Sequence, residues 1–360
     1  MAPRLHLLRT TRLLNRSYAT ASSSSTPPHF RVFDRRIKEA QRTRAALSPH
    51  SRTVDYLRDT IASRLAERLL LITRPLPHIL DLGSGACHIA KSILTDPTLS
   101  ELIPRINKLT CTDASSTLLH RDDTEPWAQS SPFELERLCV DEESILSDPT
   151  NFPYPADTFS AALSASSLHW INDLPSVLAS VNTLLRPDSP FLGAMVGGDT
   201  LFELRTSLQL AELERRGGVS PHVSPMADTR DVGGLMDKAG FQLLTVDVED
   251  FVVDYPDMAR LCMDLGWMGE GNAVLGREMG GIGRDVWMAA EAIYKELHGN
   301  EDGTVPATFR IIYMIGWKKG AGQPQPLQRG TGQVSLKEAL ANVGPSGGKK
   351  EGNGEKDGNS

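Results

Sequence analysis

Ile79-Leu80-Asp81-Leu82-Gly83-Ser84-Gly85-Ala86-Cys87-His88-Ile89-Ala90 is the stretch that decides the fold of this chain. An apolar run of strand type ends on an acid, passes two glycines spaced G-x-G, and opens into a helical pattern. Glycine tolerates positive φ and lets a ligand touch the main chain. Asp81, near the strand end, is placed to accept hydrogen bonds from an amine-bearing or cationic ligand. The dinucleotide-binding spelling G-x-G-x-x-G fails at His88, where its third glycine belongs. Taken alone, the stretch would also suit an ordinary strand-to-helix turn, so the flanking sequence has to decide.

Working outward, Leu109-Thr110-Cys111-Thr112 is a second apolar run and ends at Asp113. An acid there is where a doubly wound sheet holds a ribose by its hydroxyls. The polar stretch 95–108 reads as a long loop. Cys139-Val140 is a short third run ending in Asp141-Glu142-Glu143. Residues 161–164 are a fourth strand and 191–196 a fifth. Val54, Leu57, Ile61, Leu65, Ala66 and Leu69 recur at helical spacing and predict a helix over 49–71. Further helices are predicted over 88–94, 174–185, 201–216, 231–239, 257–265 and 284–297. Asp199-Thr200 are expected to cap the one from Leu201, with Gly217-Gly218 stopping it. Residues 243–253 alternate as a strand, and 309–317 form the last. Strands alternating with helices predict an α/β fold, a parallel sheet with helices on both faces. Ligands of such sheets bind outside the carboxyl ends of the strands. Asp81, Asp113 and Asp141 all fall there.

Asp81-Leu82-Gly83-Ser84-Gly85 resembles the first motif of class I S-adenosylmethionine-dependent methyltransferases, with Cys87 standing where that pattern has another glycine. Phe152-Pro153 with Phe159-Ser160, and Leu185-Arg186-Pro187, resemble later motifs of the same superfamily, Ser160 replacing an aspartate. The resemblance narrows over Phe33-Asp34-Arg35, Ser167-Leu168-His169-Trp170-Ile171-Asn172-Asp173-Leu174-Pro175, Gly197-Gly198-Asp199-Thr200-Leu201-Phe202-Glu203-Leu204-Arg205, Ser220-Pro221-His222-Val223-Ser224-Pro225, Met268-Gly269-Glu270 and Asn300-Glu301-Asp302-Gly303-Thr304-Val305-Pro306. Over roughly residues 30–319 the chain resembles the mitochondrial complex I assembly factors described as arginine hydroxylases. These are methyltransferase-fold proteins related to the biotin-pathway methyltransferase of a malonyl carrier protein. The resemblance implies a Rossmann-like, seven-stranded class I methyltransferase fold in a single domain, with the last strand antiparallel and inserted near the edge. It implies S-adenosyl-L-methionine as cofactor, held by Asp81, Gly83, Ser84, Gly85, Asp113, Asp141, Glu142 and Ser164. Asp141 and Glu142 would face the adenine. The implied partner is a complex I subunit or assembly intermediate, met in the mitochondrial matrix or at the matrix face of the inner membrane, so that peripheral membrane attachment is compatible with it.

The ends of the 360-residue chain differ from its middle. Residues 1–33 carry no Asp or Glu, but have Arg4, Arg9, Arg12, Arg16 and Arg31 among leucines, followed by Ser22 to Ser25. That composition predicts a mitochondrial transit peptide over 1–29, with cleavage after Tyr18. Residues 320–360, rich in Gly, Lys, Glu, Asn and Gln, read as a disordered tail. One domain is left over 30–319. The net charge of −7 argues against nucleic acid as a partner. A basic run, Arg35-Arg36-Ile37-Lys38-Glu39-Ala40-Gln41-Arg42-Thr43-Arg44, reads first as a solvated helix face and second as a lid beside the cofactor. Cys87, Cys111, Cys139 and Cys262 have no C-x-x-C spacing and read as buried reduced thiols.

For chemistry, His169 is the candidate base after the fourth strand, and Trp170 a wall of the acceptor pocket; a packed His-Trp corner accounts for them equally well. Asp199, Glu203 and Arg205 follow the fifth strand and either read a cationic substrate side chain or brace their helix. His120-Arg121-Asp122 matches the H-x-D of iron oxygenases, but one such match is expected by chance, and no metal site is assigned. Three functions remain open: arginine hydroxylation, methyl transfer to a protein or small acceptor, and non-catalytic assembly chaperoning.

Overall fold

The computed structural model describes residues 31–148, 150–277 and 281–323. The predicted transit peptide, its cleavage after Tyr18, and the tail from 324 onward lie outside the described residues. The described residues from 31 to 321 belong to one unit, and it carries the whole sheet. The sheet has seven strands: β1 (His78–Leu82), β2 (Lys108–Asp113), β3 (Glu134–Cys139), β4 (Ala161–Ala165), β5 (Pro190–Val196), β6 (Phe241–Tyr255) and β7 (Val305–Lys318). The order is β3-β2-β1-β4-β5-β7-β6. β1 to β5 are mutually parallel, and β7 runs antiparallel to both β5 and β6. The class I methyltransferase topology expected from the sequence is therefore present, with the last strand inserted beside the edge.

Ten helices accompany the sheet among the described residues: α1 (Arg35–Leu47), α2 (Tyr56–Leu70), α3 (His88–Thr95), α4 (Ser116–Leu119), α5 (Pro126–Gln129), α6 (Leu174–Leu184), α7 (Phe202–Arg216), α8 (Thr229–Lys238), α9 (Met258–Met268) and α10 (Arg284–His298). Side chains alternate across a strand, and β1 shows the consequence. Ile79 packs with α2, α3, α7 and α10 on one face, whereas Leu80 and Leu82 pack with α6 and α8 on the other. β1 thus lies in the middle of the sheet, covered on both sides, and carries its acid to the carboxyl edge.

Several expectations need correction. The helix predicted over 49–71 is divided: a 3-10 turn spans Ser51–Val54, and α2 begins only at Tyr56. The stretch 95–108 is not an open loop but folds into a 3-10 segment, Pro97–Arg105, that buries Leu99 and Leu102. The third strand lies earlier than Cys139-Val140 suggested. β3 is an edge strand whose acids are paired across to β2, Lys108 Nζ standing 2.8 Å from Glu134 and 3.1 Å from Glu136. Asp199 and Thr200 do not cap α7. Leu201 occupies that position in the left-handed region with no side-chain cap. Thr200 instead exchanges hydrogen bonds with the main chain of Arg310 on β7, at 2.9 and 3.1 Å, and Asp199 pairs with the Arg310 guanidinium. Finally, Cys139 is exposed rather than buried, because it closes an edge strand.

Candidate functional site

The turn after β1 is built on left-handed backbone: Gly83 has φ +67°, Gly85 +58° and Cys87 +60°. The last value explains why the superfamily pattern has glycine at that place; a side chain there costs about 1–2 kcal/mol. At Gly83 the close approach is severe, since a Cβ would stand 2.1 Å from Ser167 Oγ and 2.8 Å from Glu142 Oε1. Gly85 is roomier, its nearest neighbour being His88 Cδ2 at 3.5 Å. The turn is anchored to β2. The Ser84 N–H donates to Thr112 O at 2.8 Å, and the Gly85 N–H to Asp113 Oδ2 at 3.2 Å.

Two acids at this edge are in opposite condition. Asp81 is fully buried, and neither carboxylate oxygen has a hydrogen-bond partner among the described residues. Burial, with Cys87 and Asp113 adding to it, pushes its carboxyl well above the ordinary range. A buried acid without a partner is costly, and an ammonium group would relieve that cost. Asp113, equally buried, is fully engaged: Oδ1 accepts from Ser115 N at 2.8 Å and Oδ2 from Arg42 Nη1 at 3.1 Å. Ser164 Oγ donates to Leu82 O at 2.8 Å and ties β4 to β1 beneath the turn.

Arg42 comes from α1, and α1 corrects the first reading of the basic run. This helix is not a solvated face. Arg35, Lys38 and Arg42 recur at i, i+3 and i+7 and turn one cationic stripe onto the site, where Lys38 is 1% and Arg42 3% exposed. Arg35 pairs with Glu142 and reaches Asp141 Oδ1 at 3.2 Å. Arg42 Nη1 also lies 3.6 Å from Glu142 Oε1. Ser167 Oγ donates to that oxygen at 2.5 Å. Burial would raise the Glu142 carboxyl, but Arg35 and Arg42 hold it down to about 2. Lys38 Nζ sits 3.3 Å from the centroid of the Trp170 ring and donates to Gly269 O and Gly271 O at 3.0 and 2.8 Å. Asn172 fastens the entry to α1, its Oδ1 accepting from Val32 N and Phe33 N.

His169 and Trp170 lie in a 3-10 turn after β4, both buried. Trp170 Nε1 donates to Glu270 Oε2 at 2.6 Å, and His169 Nε2 stands 3.5 Å from the same oxygen. Burial lowers the His169 pKa against the opposing pull of Glu270, so the imidazole is neutral near neutral pH; its Nδ1 has no partner among the described residues. The structure thus brings Asp81, Gly83, Ser84, Gly85, Asp113, Asp141, Glu142 and Ser164 to one edge with His169 and Trp170. Asp199, Glu203 and Arg205 belong to a different cluster. Glu203 accepts from Thr308 Oγ1 at 2.5 Å, Arg205 donates to Ser224 O at 3.4 Å, and Asp199 engages Arg310. His120 and Asp122 do not converge either, His120 turning to Asp123 and Asp122 to Arg52 and Arg121. Sequence reasoning reached Arg35, Lys38 and Arg42 only through the second, lid reading of the basic run, and assigned no site role to Arg58 or Glu270. The spacing of the basic residues was the available signal for the first three.

A methyltransferase-domain family model matches residues 80–192, the segment from the glycine turn to β5. Across nearly its whole length the chain is similar to Arginine-hydroxylase NDUFAF5, mitochondrial, of Danio rerio: 42% identity over 325 residues, covering 90% of this chain and 94% of that protein. The chain belongs to the mitochondrial arginine-hydroxylase family. Its Homo sapiens member is 41% identical over 330 residues, covering 91% of this chain and 89% of that protein. The Malonyl-[acyl-carrier protein] O-methyltransferase of Halorhodospira halophila is 30% identical over 284 residues, covering 79% of this chain and 88% of that protein. This arginine-hydroxylase-family chain is mitochondrial, and its fold is of the S-adenosylmethionine-binding type.

Proposed function

We propose that this chain hydroxylates an arginine of a mitochondrial complex I subunit during assembly, in the matrix or at the matrix face of the inner membrane, using a pocket that holds S-adenosylmethionine. The observation that carries the reading is similarity over nine-tenths of the chain, site loops included, to proteins named arginine hydroxylases. The donor set supports the cofactor: an orphaned buried carboxylate at Asp81 suits its ammonium, and a second acid at Asp113 suits ribose hydroxyls. Asp141 and Glu142 would border the adenine, while Ser84 and Gly85 present main chain, and Ser164 keeps β4 and β1 in register beneath. When bound, S-adenosylmethionine supplies a sulfonium centre with an activated methyl group. For either ribose or adenine to meet these acids, Arg42 and Arg35 have to yield their present contacts.

His169, buried and neutral, is the group we place to accept or return a proton at its free Nδ1. Trp170 walls the acceptor side. Hydroxylation inserts one oxygen atom and, with dioxygen as donor, consumes two electrons and two protons from a reductant; the partner protein and that reductant complete the reaction. Methyl transfer is the second reading, favoured by 30% identity to a carrier-protein O-methyltransferase. Mass spectrometry of matrix complex I subunits from cells with and without the chain separates them. Loss of one oxygen atom from an arginine, restored by wild type but not by Gly83→Arg, is the expected result. Loss of one methylene instead establishes methyl transfer. Failed assembly with no mass change contradicts both and marks a non-catalytic chaperone.

A further inference from the structure

We propose that Glu270 and Trp170 form the seat of the substrate's guanidinium group, and that Lys38 of α1 occupies this seat in the structure. The proposal rests on the arginine-directed reading of the chain's function. Its basis is a corner with two surfaces. One is the face of the Trp170 ring, 3% exposed and buttressed edge-on by Phe33 at 5.2 Å. The other is the Glu270 carboxylate, which accepts from Trp170 Nε1 at 2.6 Å and from Arg58 Nη2 at 2.5 Å. A guanidinium uses both kinds of surface at once, stacking on an aromatic face and forking onto a carboxylate. The corner is already cationic territory, since Lys38 Nζ covers the ring at 3.3 Å and Arg58 holds one carboxylate oxygen.

Lys38 is a weak tenant. Its hydrogen bonds run to two carbonyl oxygens, Gly269 and Gly271, rather than to the carboxylate. Burial pulls its pKa down to about 7, with Glu270 opposing, so its charge is easily given up. A planar guanidinium would stack on the ring where an ammonium only touches it, and would offer its edge to Glu270 and to both carbonyls. α1 rests directly on the loop that carries them: a Cβ on Gly269 would stand 3.2 Å from Arg42 Cα. Lifting this one helix therefore uncovers the ring, the carboxylate, both carbonyls and the cofactor acids together. His169, 3.5 Å from Glu270 on its Nε2 side, would then stand beside the bound arginine.

The test is calorimetry on the full chain with N-acetyl-L-arginine amide, and with its citrulline counterpart, which has the same shape without the charge. The arginine amide should bind and the citrulline compound should not. Glu270→Gln should weaken binding by roughly tenfold or more, the scale of one charged hydrogen-bonded partner, while leaving S-adenosylmethionine affinity unchanged. Lys38→Met should tighten arginine-amide binding several-fold, because the resident competitor is gone; loss of a merely structural lysine would not do so. No binding of the arginine amide, equal affinity in Glu270→Gln, or weaker binding in Lys38→Met each overturns the seat. Should the arginine amide behave as expected while cellular arginine masses stay unchanged, the seat stands and the hydroxylase reading falls. Oxygen gain in cells with no effect of Glu270→Gln on binding sinks the seat alone.

Discussion

The carboxylates along the carboxyl edge of the sheet are all engaged or buried, yet those after β5 and those after β1 to β3 are held by different kinds of partner. After β5, Asp199 and Glu203 are bound by Arg310 and Thr308, residues of β7 itself. After β1, β2 and β3, the acids are met by Arg35 and Arg42 from a helix laid across the edge, or, at Asp81, by no hydrogen-bond partner among the described residues. A partner carried by a sheet strand stays beside its acid for as long as the strand is paired. A partner on one helix can be exchanged for a ligand. By this contrast the β5–α7 acids brace the fold, and the β1–β3 acids are those we propose for the site.

The largest effect should come from Glu142→Ala. It takes from buried Arg35 and Arg42 the carboxylate they share, leaving them Asp141 and Asp113, and breaking a buried pair costs about 3–5 kcal/mol; urea unfolding reads this, and a loss under about 1 kcal/mol would show that α1 is only loosely seated. Next, Gly83→Ala combines positive φ with a Cβ 2.1 Å from Ser167 Oγ, whereas Gly85→Ala meets only ordinary contacts. Gly83→Ala should lose cofactor binding and roughly 2–4 kcal/mol, Gly85→Ala about 1–2 kcal/mol. Equal effects would mean that the close approach at Gly83 does not matter.

Asp81→Asn should do the reverse for stability. The folded chain raises this carboxyl, so folding favours its protonated form. That contribution is fully present below the unfolded carboxylate pKa and is lost as pH rises towards the folded value. The amide escapes the loss. The variant should therefore match wild type in acid and melt higher near neutral pH, while binding S-adenosylmethionine more weakly. A lower melting point near neutral pH would show that Asp81 already has a partner. The smallest effect belongs to Asp199→Ala, an exposed pair worth about 1 kcal/mol or less, with cofactor binding untouched.

Much of this arrangement was legible in the sequence because its signals are local. The run from Ile79 to Cys87 states strand, acid and left-handed turn within nine positions, and β6 alternates in burial as its spelling suggests. What escaped depended on distant partners. Arg42 and Asp113 are far apart in the chain, so a basic run looked solvated that is in fact neutralised by acids. Thr200 had every local qualification of a helix cap, but β7 arrives beside it and takes its hydroxyl. Glu270 stands in one of the strings that carry the family resemblance, but nothing local ties it to a site; only the fold brings it to Trp170.

The most direct test of the contrast between these two groups of acids is titration of S-adenosylmethionine into wild type, Asp113→Asn and Asp199→Asn. A loss of at least about tenfold is predicted in Asp113→Asn, as expected when a charged hydrogen-bonding partner is removed, and wild-type affinity in Asp199→Asn. Equal affinity in all three, no binding in any, or a loss confined to Asp199→Asn would contradict it.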